Sequence, residues 1–293
     1  MTRMHDEQVD VDADVVRRLL RDQFPEWADV PITPVAESGS DHALFRLGEH
    51  LVARMPVIAW ADGQAAAEAR WLPRLAPALP VEVPVPVALG KPDAVYPFGW
   101  SVHPWVEGDR LDPTSLDRRE LARDLAELVA ALRACDTDGA PLSDGRGAPL
   151  HRPARDQRTR ESLERAADVI DAPAALRVWE EAQAAPAWDR PPTWLHGDLT
   201  AGNLVVRDGR LAGVIDWAPT TGDPAVELHS AYQLFDPVTR GVYRDTLAND
   251  DATWLRARGW AVSIAATEIP YYRETRPEFA ARSIAAIEAV LAE

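Results

Sequence analysis

One stretch of polar residues set between apolar runs constrains the fold more than any other part of the chain. It reads Trp-Leu-His-Gly-Asp-Leu-Thr-Ala-Gly-Asn-Leu-Val-Val over residues 194–206, and Leu-Ala-Gly-Val-Ile-Asp-Trp follows over residues 211–217. An Asp-Gly pair between the two halves favours a tight turn, and the apolar flanks favour short buried strands. The pattern therefore predicts a β-hairpin that brings Asp198, Asn203 and Asp216 to one rim.

Two carboxylates and a carboxamide at one rim suit phosphoryl transfer. One Asp can accept the proton of an attacking hydroxyl, while a second Asp and an Asn can hold Mg²⁺, which prefers oxygen ligands and keeps some of its waters. Protein kinases carry His-Arg-Asp-Leu-x-x-x-Asn in the catalytic loop. Here His196, Asp198, Leu199 and Asn203 have the same spacing, and Asp216 stands where kinases have Asp-Phe-Gly. The spacing indicates kinase chemistry.

Two other functions stay open at this point. His196 and Asp198 could be ligands of a hydrolytic metal centre, since His and carboxylate suit zinc or iron. Such a centre needs further His ligands, and the 7 His of the chain form no second cluster. The chain could also bind a nucleotide without turning it over. That alternative is disfavoured because the base and both metal ligands are present.

The same residues resemble the aminoglycoside phosphotransferase family, small-molecule kinases with a protein-kinase-like fold. The family motif is His-Gly-Asp-x-x-x-x-Asn followed by Ile-Asp and an aromatic residue, and the Gly-Asp-Pro-Ala at 222–225 is typical of it as well. The resemblance runs from about Pro34 to the C-terminus. It implies that Asp198 is the catalytic base and that Asn203 and Asp216 are ligands of Mg²⁺.

The resemblance also implies an α+β fold with two lobes. The small N-lobe, residues 1–105, is expected to hold an antiparallel sheet and one main helix, preceded by an N-terminal amphipathic helix. The larger lobe, residues 106–293, is expected to be mostly helical and to carry the catalytic loop, the metal site and the acceptor pocket. Within this lobe, an apolar helix that starts at Gly259 is expected to stop at Pro270, because proline breaks the helical hydrogen-bond pattern.

A phosphate-binding pair is expected in the small lobe. Kinases use a lysine of the third strand for phosphates, but the only lysine here is Lys91. Arg54 lies in the predicted third strand and can take that role, because its guanidinium binds phosphate well. Glu68, in the next predicted helix, is expected to pair with Arg54. A surface arginine and a solvated glutamate are the alternatives.

Further nucleotide contacts are expected from two other segments of the small lobe. One is a loop of small residues whose backbone N–H groups could cover phosphates, although it could equally be a plain hairpin turn. The other is the last strand of the lobe, with the hinge after it whose backbone binds the purine in this family. The expected nucleotide-binding residues of these two segments are Ser38, Gly39, Ser40, Ser101 and His103.

The charge of the chain bears on its partners. The net charge is −16 and the sequence pI is near 4.9, which disfavours binding to nucleic acid or to anionic membranes. With ATP or GTP as co-substrate, the predicted acceptor is the hydroxyl of a cationic, aminoglycoside-like molecule, and Asp250, Asp251 and Glu268 are candidates to bind it. Macrolides, choline and homoserine are alternative acceptors. No obligatory protein partner is evident.

A cytoplasmic protein is expected. Residues 1–14 are polar and acidic, unlike a signal peptide, and no run of 18 apolar residues suggests a membrane span. Cys135 is the only cysteine, so an intrachain disulfide is impossible.

Overall fold

The computed structural model describes residues 7–35, 41–111 and 117–293. The α-helices are α1 (Ala13–Gln23), α2 (Gln64–Leu75), α3 (Arg118–Ala134), α4 (Pro153–Ala166), α5 (Ala172–Ala184), α6 (Ala231–Leu234), α7 (Pro237–Leu247), α8 (Asp251–Tyr272) and α9 (Pro277–Leu291). Short 3₁₀ helices cover Pro25–Trp27, Ala59–Ala61, Ala76–Ala78, Ala201–Asn203 and Pro224–Leu228.

The strands are β1 (Ile32–Pro34), β2 (His42–Leu47), β3 (Leu51–Pro56), β4 (Ala88–Gly90), β5 (Trp100–Pro104), β6 (Asp109–Arg110), β7 (Thr193–Leu195), β8 (Leu204–Arg207), β9 (Arg210–Val214) and β10 (Thr220–Gly222). The chain divides into two compact units. The first takes in the chain up to Pro77, Glu82–Glu107 and Trp217–Pro219, and the second takes in Ala78–Val81, Gly108–Asp216 and Thr220–Glu293. The predicted boundary at residue 105 stays a prediction.

The first unit is built on a five-stranded antiparallel sheet in the order β1-β2-β3-β5-β4. Side chains alternate along β2, so that Ala43, Phe45 and Leu47 point into a core that Leu19 and Leu20 of α1 also enter. Each large apolar side chain fully buried in this way contributes about 1.5–3 kcal/mol. The sheet and α1 therefore stabilise each other.

The second unit is mostly helical, and α8 is its central helix. This 22-residue helix packs on α4, α5 and α9 and is buried on most sides. The expected start at Gly259 and end at Pro270 are both wrong, because the helix runs from Asp251 to Tyr272. Proline costs the helix one backbone hydrogen bond, and packing against the neighbouring helices outweighs that loss near the C-terminal end of α8.

Strands β8 and β9 form the predicted hairpin. They pair in antiparallel register from Leu204 opposite Val214 to Arg207 opposite Arg210. The turn residues Asp208 and Gly209 have φ values of 54° and 76°, and a type I′ hairpin turn requires a positive φ at both positions. The sequence prediction of the hairpin is confirmed.

The predicted fold class is also confirmed: an antiparallel sheet occupies the N-terminal part, and the rest is mostly helical. Within the described ranges, no helix combines the length and the apolar character that crossing a membrane would require.

Candidate active site

The predicted catalytic loop, residues 196–203, links β7 to β8 and begins directly after Leu195. Gly197 has a φ of 78°, a left-handed conformation that L side chains rarely adopt, and it turns the chain out of the strand. Residues Ala201–Asn203 then form one 3₁₀ turn that leads into β8. The loop is therefore fixed at both ends by strands, which positions Asp198 between them.

His196 holds the loop through its ring. The ring is 4% exposed, and its Nε2–H donates to the carbonyl of Ile215 at 3.0 Å. Its Nδ1 accepts from the backbone N–H of Asp198 at 3.2 Å. Burial lowers the pKa of His196, so the ring stays neutral in this arrangement. Because both ring nitrogens bind backbone groups, the geometry does not favour His196 as a metal ligand.

Both carboxylate oxygens of Asp198 accept hydrogen bonds. Arg146 donates to Oδ1 at 2.5 Å, and the amide Nδ2 of Asn203 donates to Oδ2 at 3.0 Å. Burial favours the neutral acid, but the guanidinium of Arg146 outweighs it and holds the pKa of Asp198 below its ordinary value. The carboxylate is therefore ionised at neutral pH and can accept a proton from a hydroxyl group.

Asn203 and Asp216 meet at the open end of the hairpin. The N–H of Ile215 donates to the carbonyl of Asn203 at 3.0 Å, which places Asn203 opposite the residue before Asp216. The side-chain Nδ2 of Asn203 also donates to the Asp198 carbonyl at 2.9 Å, so its Oδ1 faces away from that bond. Asp216 has a φ of 63° and an exposed side chain.

An amide oxygen and a carboxylate fit Mg²⁺, a cation that takes oxygen ligands and completes its shell with water and substrate phosphates. Across residues 7–35, 41–111 and 117–293, no group of three or more His, Cys, Asp or Glu side chains could hold a metal ion. Asn203 and Asp216 are the two sequence-predicted ligands, and the backbone bond from Ile215 to Asn203 joins the ends of the hairpin that carry them.

Arg146 is a site residue that the sequence reading missed. Its backbone is fixed, because its carbonyl accepts from the Ser143 hydroxyl at 2.6 Å. Its guanidinium donates to the Gly197 carbonyl at 3.0 Å and to Asp198, and it lies 3.6 Å from a carboxylate oxygen of Glu268. The sequence signal is weak, since only the flanking glycines of Gly-Arg-Gly mark the position.

Glu227 was also missed. It is 1% exposed, and its Oε1 accepts from the backbone N–H of Gly197 at 2.7 Å, one residue before Asp198. Burial raises the pKa of Glu227 to about 7. The 3₁₀ helix that carries Glu227 is capped by Asp223, which forms a buried ion pair with Arg256 at 2.6 Å. An acidic residue between Val226 and Leu228 was the available signal.

In the first unit, the structure brings Arg54 and Glu68 together, as the kinase pattern predicted. Arg54 Nη1 lies 2.5 Å from Glu68 Oε1, and the two side chains are 11% and 1% exposed. Behind them, Nδ1–H of His103 donates to the Pro84 carbonyl, and Nε2 accepts from the Ser101 hydroxyl at 2.7 Å. Burial lowers the pKa of His103 to about 4, so it is neutral.

The side chains of Ser101 and His103 are buried within β5, and His103 Nε2 is 3.5 Å from Glu68 Oε2. Their predicted part in nucleotide binding stays a prediction. The expected contacts of Ser38, Gly39 and Ser40 lie outside the described residues.

The three acidic candidates for acceptor binding occupy different places. Glu268 is near the catalytic loop, where it accepts from the Ser283 hydroxyl at 2.7 Å and faces Arg146. Asp250 caps α8 by accepting from the N–H of Thr253 at 2.7 Å. Asp251 is 89% exposed and pairs with Arg244 at 2.6 Å. Of the three, only Glu268 lies within reach of a residue that touches Asp198.

Comparison with known proteins identifies the family of the chain. A family model described as the phosphotransferase enzyme family matches residues 32–260. No curated protein matches the chain.

Several solved structures have the same fold at low sequence identity. A GDP and kanamycin complex of APH(2")-IIia has a TM-score of 0.67 and 18% identity, over 94% of this chain and 98% of that one. The apoenzyme of macrolide 2'-phosphotransferase MphH from Brachybacterium faecium has a TM-score of 0.61 and 23% identity, over 94% and 97%. A streptomycin–ATP–APH(2")-IIa ternary complex has a TM-score of 0.61 and 17% identity, over 93% and 99%.

Proposed function

The chain belongs to the phosphotransferase enzyme family, and from this premise we propose that it transfers the γ-phosphoryl group of ATP or GTP to a hydroxyl of a small molecule. The observation that carries the proposal is the ionised Asp198, held by Arg146 and Asn203. The resemblance to the aminoglycoside phosphotransferases is confirmed by the family match and the shared fold.

Asp198 is proposed to orient the acceptor hydroxyl and to take its proton as the bond to phosphorus forms. General-base catalysis of this kind contributes about 10²–10⁴-fold to the rate. Asn203 Oδ1 and the Asp216 carboxylate would hold Mg²⁺. When bound, the ion neutralises charge on the phosphates. His196 keeps the loop in shape without taking part in the proton transfer.

Arg54 is proposed to bind the phosphates of the nucleotide, with Glu68 fixing its guanidinium. The 2.5 Å ion pair in a nearly buried setting supports this role, because it leaves the arginine little rotational freedom. The loop residues Ser38, Gly39 and Ser40 are proposed to add backbone contacts, and Ser101 with His103 to support Glu68 from behind. The nucleotide can be ATP or GTP, since the similar structures include complexes with both ATP and GDP.

The acceptor is proposed to be an aminoglycoside-like, cationic molecule. Glu268 supports this, because it places a carboxylate beside the residues that hold Asp198. The names of the similar structures include kanamycin and streptomycin complexes. Asp250 and Asp251 are secondary candidates for amine binding. A macrolide is the second candidate acceptor because two of the similar structures are macrolide 2'-phosphotransferases; choline and homoserine are further alternatives.

The decisive test is Mg²⁺-dependent nucleotide consumption with aminoglycosides, macrolides, choline and homoserine as acceptors, with ATP and GTP in separate assays. Stimulation by one acceptor that disappears with excess chelator supports the proposal and identifies the substrate class. Nucleotide binding that no acceptor stimulates would favour the non-catalytic alternative. Failure to bind either nucleotide would refute phosphoryl transfer. Hydrolysis that ignores nucleotide but needs zinc or iron would favour the metallohydrolase.

A further inference from the structure

A buried polar cluster lies behind the catalytic loop, formed by Glu227, Arg133 of α3, Tyr243 of α7 and Asn249 after α7. Each of the four has at least one buried side-chain atom without a hydrogen-bond partner among the described residues. These atoms are Glu227 Oε2, Arg133 Nε and Nη2, Tyr243 OH and Asn249 Nδ2. One buried region therefore concentrates several donors and one carboxylate oxygen that no group of the described chain satisfies.

The four residues belong to elements that pack together. Helix α3 packs on α7, and Arg133 Nη1 donates to Asn249 Oδ1 at 2.7 Å. Burial lowers the pKa of Arg133, while the nearby Tyr243 and Glu227 act in the opposite direction. Yet within the described ranges no carboxylate lies within 4.0 Å of the Arg133 guanidinium, and Glu227 has no cation that close. The opposite charges interact electrostatically without direct contact.

Unsatisfied buried groups are costly, and charged ones more so. In folded proteins such groups are bridged by buried water, and one molecule typically makes about three hydrogen bonds. A donor set from Arg133, Tyr243 and Asn249 opposite Glu227 Oε2 provides both hydrogen-bond donors and an acceptor for such water. The chemistry of the cluster thus matches water better than an apolar occupant.

The cluster is connected to catalysis by one bond. Glu227 uses its other oxygen, Oε1, to accept from the N–H of Gly197 at 2.7 Å, one residue before Asp198. We propose that Arg133 is a positioning residue for the catalytic loop, acting through bridging water on the carboxyl of Glu227. The predicted effect on the rate rests on the proposed phosphoryl transfer, but the predicted coupling between Arg133 and Glu227 does not.

Several groups determine how this coupling depends on pH. Asp198 faces Glu227 from the catalytic loop, Arg133 from α3 and Tyr243 from α7, while the backbone of His196 bonds to Glu227. Asp223 and Asp250 face Arg133. Asp198 opposes ionisation of Glu227, and Arg133 favours it. Arg133 and Glu227 should therefore couple when Glu227 is ionised and uncouple when it is protonated.

A double-mutant cycle tests the coupling without any activity measurement. Arg133→Met, Glu227→Gln and the double variant are unfolded in urea at about pH 8.5 and about pH 5.5. At the higher pH, R133M should lower the urea midpoint at least about twice as much when Glu227 is present as it does in the E227Q background. At the lower pH, the two backgrounds should differ little. Equal shifts in both backgrounds at the higher pH overturn the proposal.

Arg123→Met is the matched control, because Arg123 lies on the same helix, is 54% exposed and pairs with Glu120. It should show the same shift in both backgrounds. If R133M does not fold, Tyr243→Phe replaces it, since the hydroxyl has no protein partner in the described chain. At the higher pH, Y243F should lower the urea midpoint more when Glu227 is present than in the E227Q background. If the shifts of Y243F and E227Q simply add, the proposal is overturned.

Two further readouts separate this role from simple stabilisation. A crystal structure should show water within hydrogen-bond distance of Arg133 and Glu227 Oε2, and a dry, direct ion pair would overturn the bridging role. In the acceptor-stimulated assay, R133M should lower kcat about tenfold and leave the nucleotide KM within about twofold. If R133M changes neither kcat nor the dependence of kcat on pH, the positioning role is overturned. If no acceptor is turned over, the proposed function fails while the urea cycle still decides the coupling.

Discussion

Two buried glutamates, one in each compact unit, are stabilised in different ways: one by an ion pair and the other by backbone hydrogen bonds. Glu68 and Glu227 are both 1% exposed. Glu68 lies 2.5 Å from the guanidinium of Arg54. Glu227 has no ion pair within the described ranges and binds backbone N–H groups of the catalytic loop instead.

The two kinds of contact indicate different roles for the two carboxyl groups. A direct ion pair fixes the guanidinium of Arg54, which is the group proposed to meet phosphates. A carboxyl bound to backbone N–H groups fixes the shape of a loop, and it is compatible with burial because it can hold a proton: its pKa rises to about 7. The first arrangement should govern nucleotide binding, and the second should govern the rate of the chemical step.

The largest expected effect concerns the loop that Glu227 holds. Asp198→Asn should lower kcat about 10²–10⁴-fold, because the amide cannot accept the hydroxyl proton, while nucleotide affinity changes little. Steady-state kinetics and nucleotide titration measure the two quantities. Asp208→Asn is the control, since it makes the same change in the hairpin turn, where Asn also tolerates the φ of 54°. An active D198N would remove Asp198 from the mechanism.

Breaking the ion pair in the first unit should act on binding and stability. Arg54→Met should raise the nucleotide KM about tenfold to a hundredfold and lower the free energy of unfolding by about 3–5 kcal/mol, because Glu68 would be buried without its cation. Arg46→Met is the control in the same sheet. The side chains of Arg46 and Glu107 are 29% and 58% exposed, so losing their ion pair should lower the free energy of unfolding by about 1 kcal/mol or less. Equal effects of both variants would contradict the phosphate role.

The titration of Glu227 predicts a pH-dependent stability difference. Its folded pKa of about 7 lies above the ordinary 4.5, so between these values the folded state keeps a proton that the unfolded state has released. Stability from this group is therefore fully present at low pH and is lost as pH rises toward 7, by up to about 3 kcal/mol.

Glu227→Gln should remove this slope. Urea unfolding of both proteins across about pH 5–8 should show the free energy of E227Q rising relative to that of the unmodified protein as pH increases. Comparing the two proteins cancels the opposite contribution of His229, whose pKa burial lowers to about 4. A constant difference across this range would show that Glu227 does not titrate in it.

The smallest effects should come from the acidic acceptor candidates. Glu268→Gln should raise the KM of a cationic acceptor about tenfold, because the carboxylate faces the residues around Asp198. Asp251→Asn should change acceptor KM and stability little, within about 0.5 kcal/mol, since its side chain is 89% exposed. The reverse order of effects would move the acceptor site toward the start of α8.

Local pattern was sufficient to predict much of the site. Asp198, Asn203 and Asp216 could be predicted to lie at one end of a hairpin, because a hairpin fixes the relative positions of residues close in sequence. Arg54 lies in β3 and Glu68 in the following helix α2, and the kinase pattern alone predicted their ion pair correctly. Arg146 and Glu227 were not found, because they approach the catalytic loop from segments about 50 residues before and 30 after it.

The sequence by itself determined the hairpin and the family, since turn chemistry and apolar alternation act over a few residues. Only the tertiary structure decided which side chains hold the catalytic loop and where α8 ends. Pro270 breaks helices in isolation, yet burial of α8 among its neighbours carries the helix to Tyr272. Burial likewise decides the protonation of Glu227, because desolvation depends on every element packed around a group rather than on its neighbours in the chain.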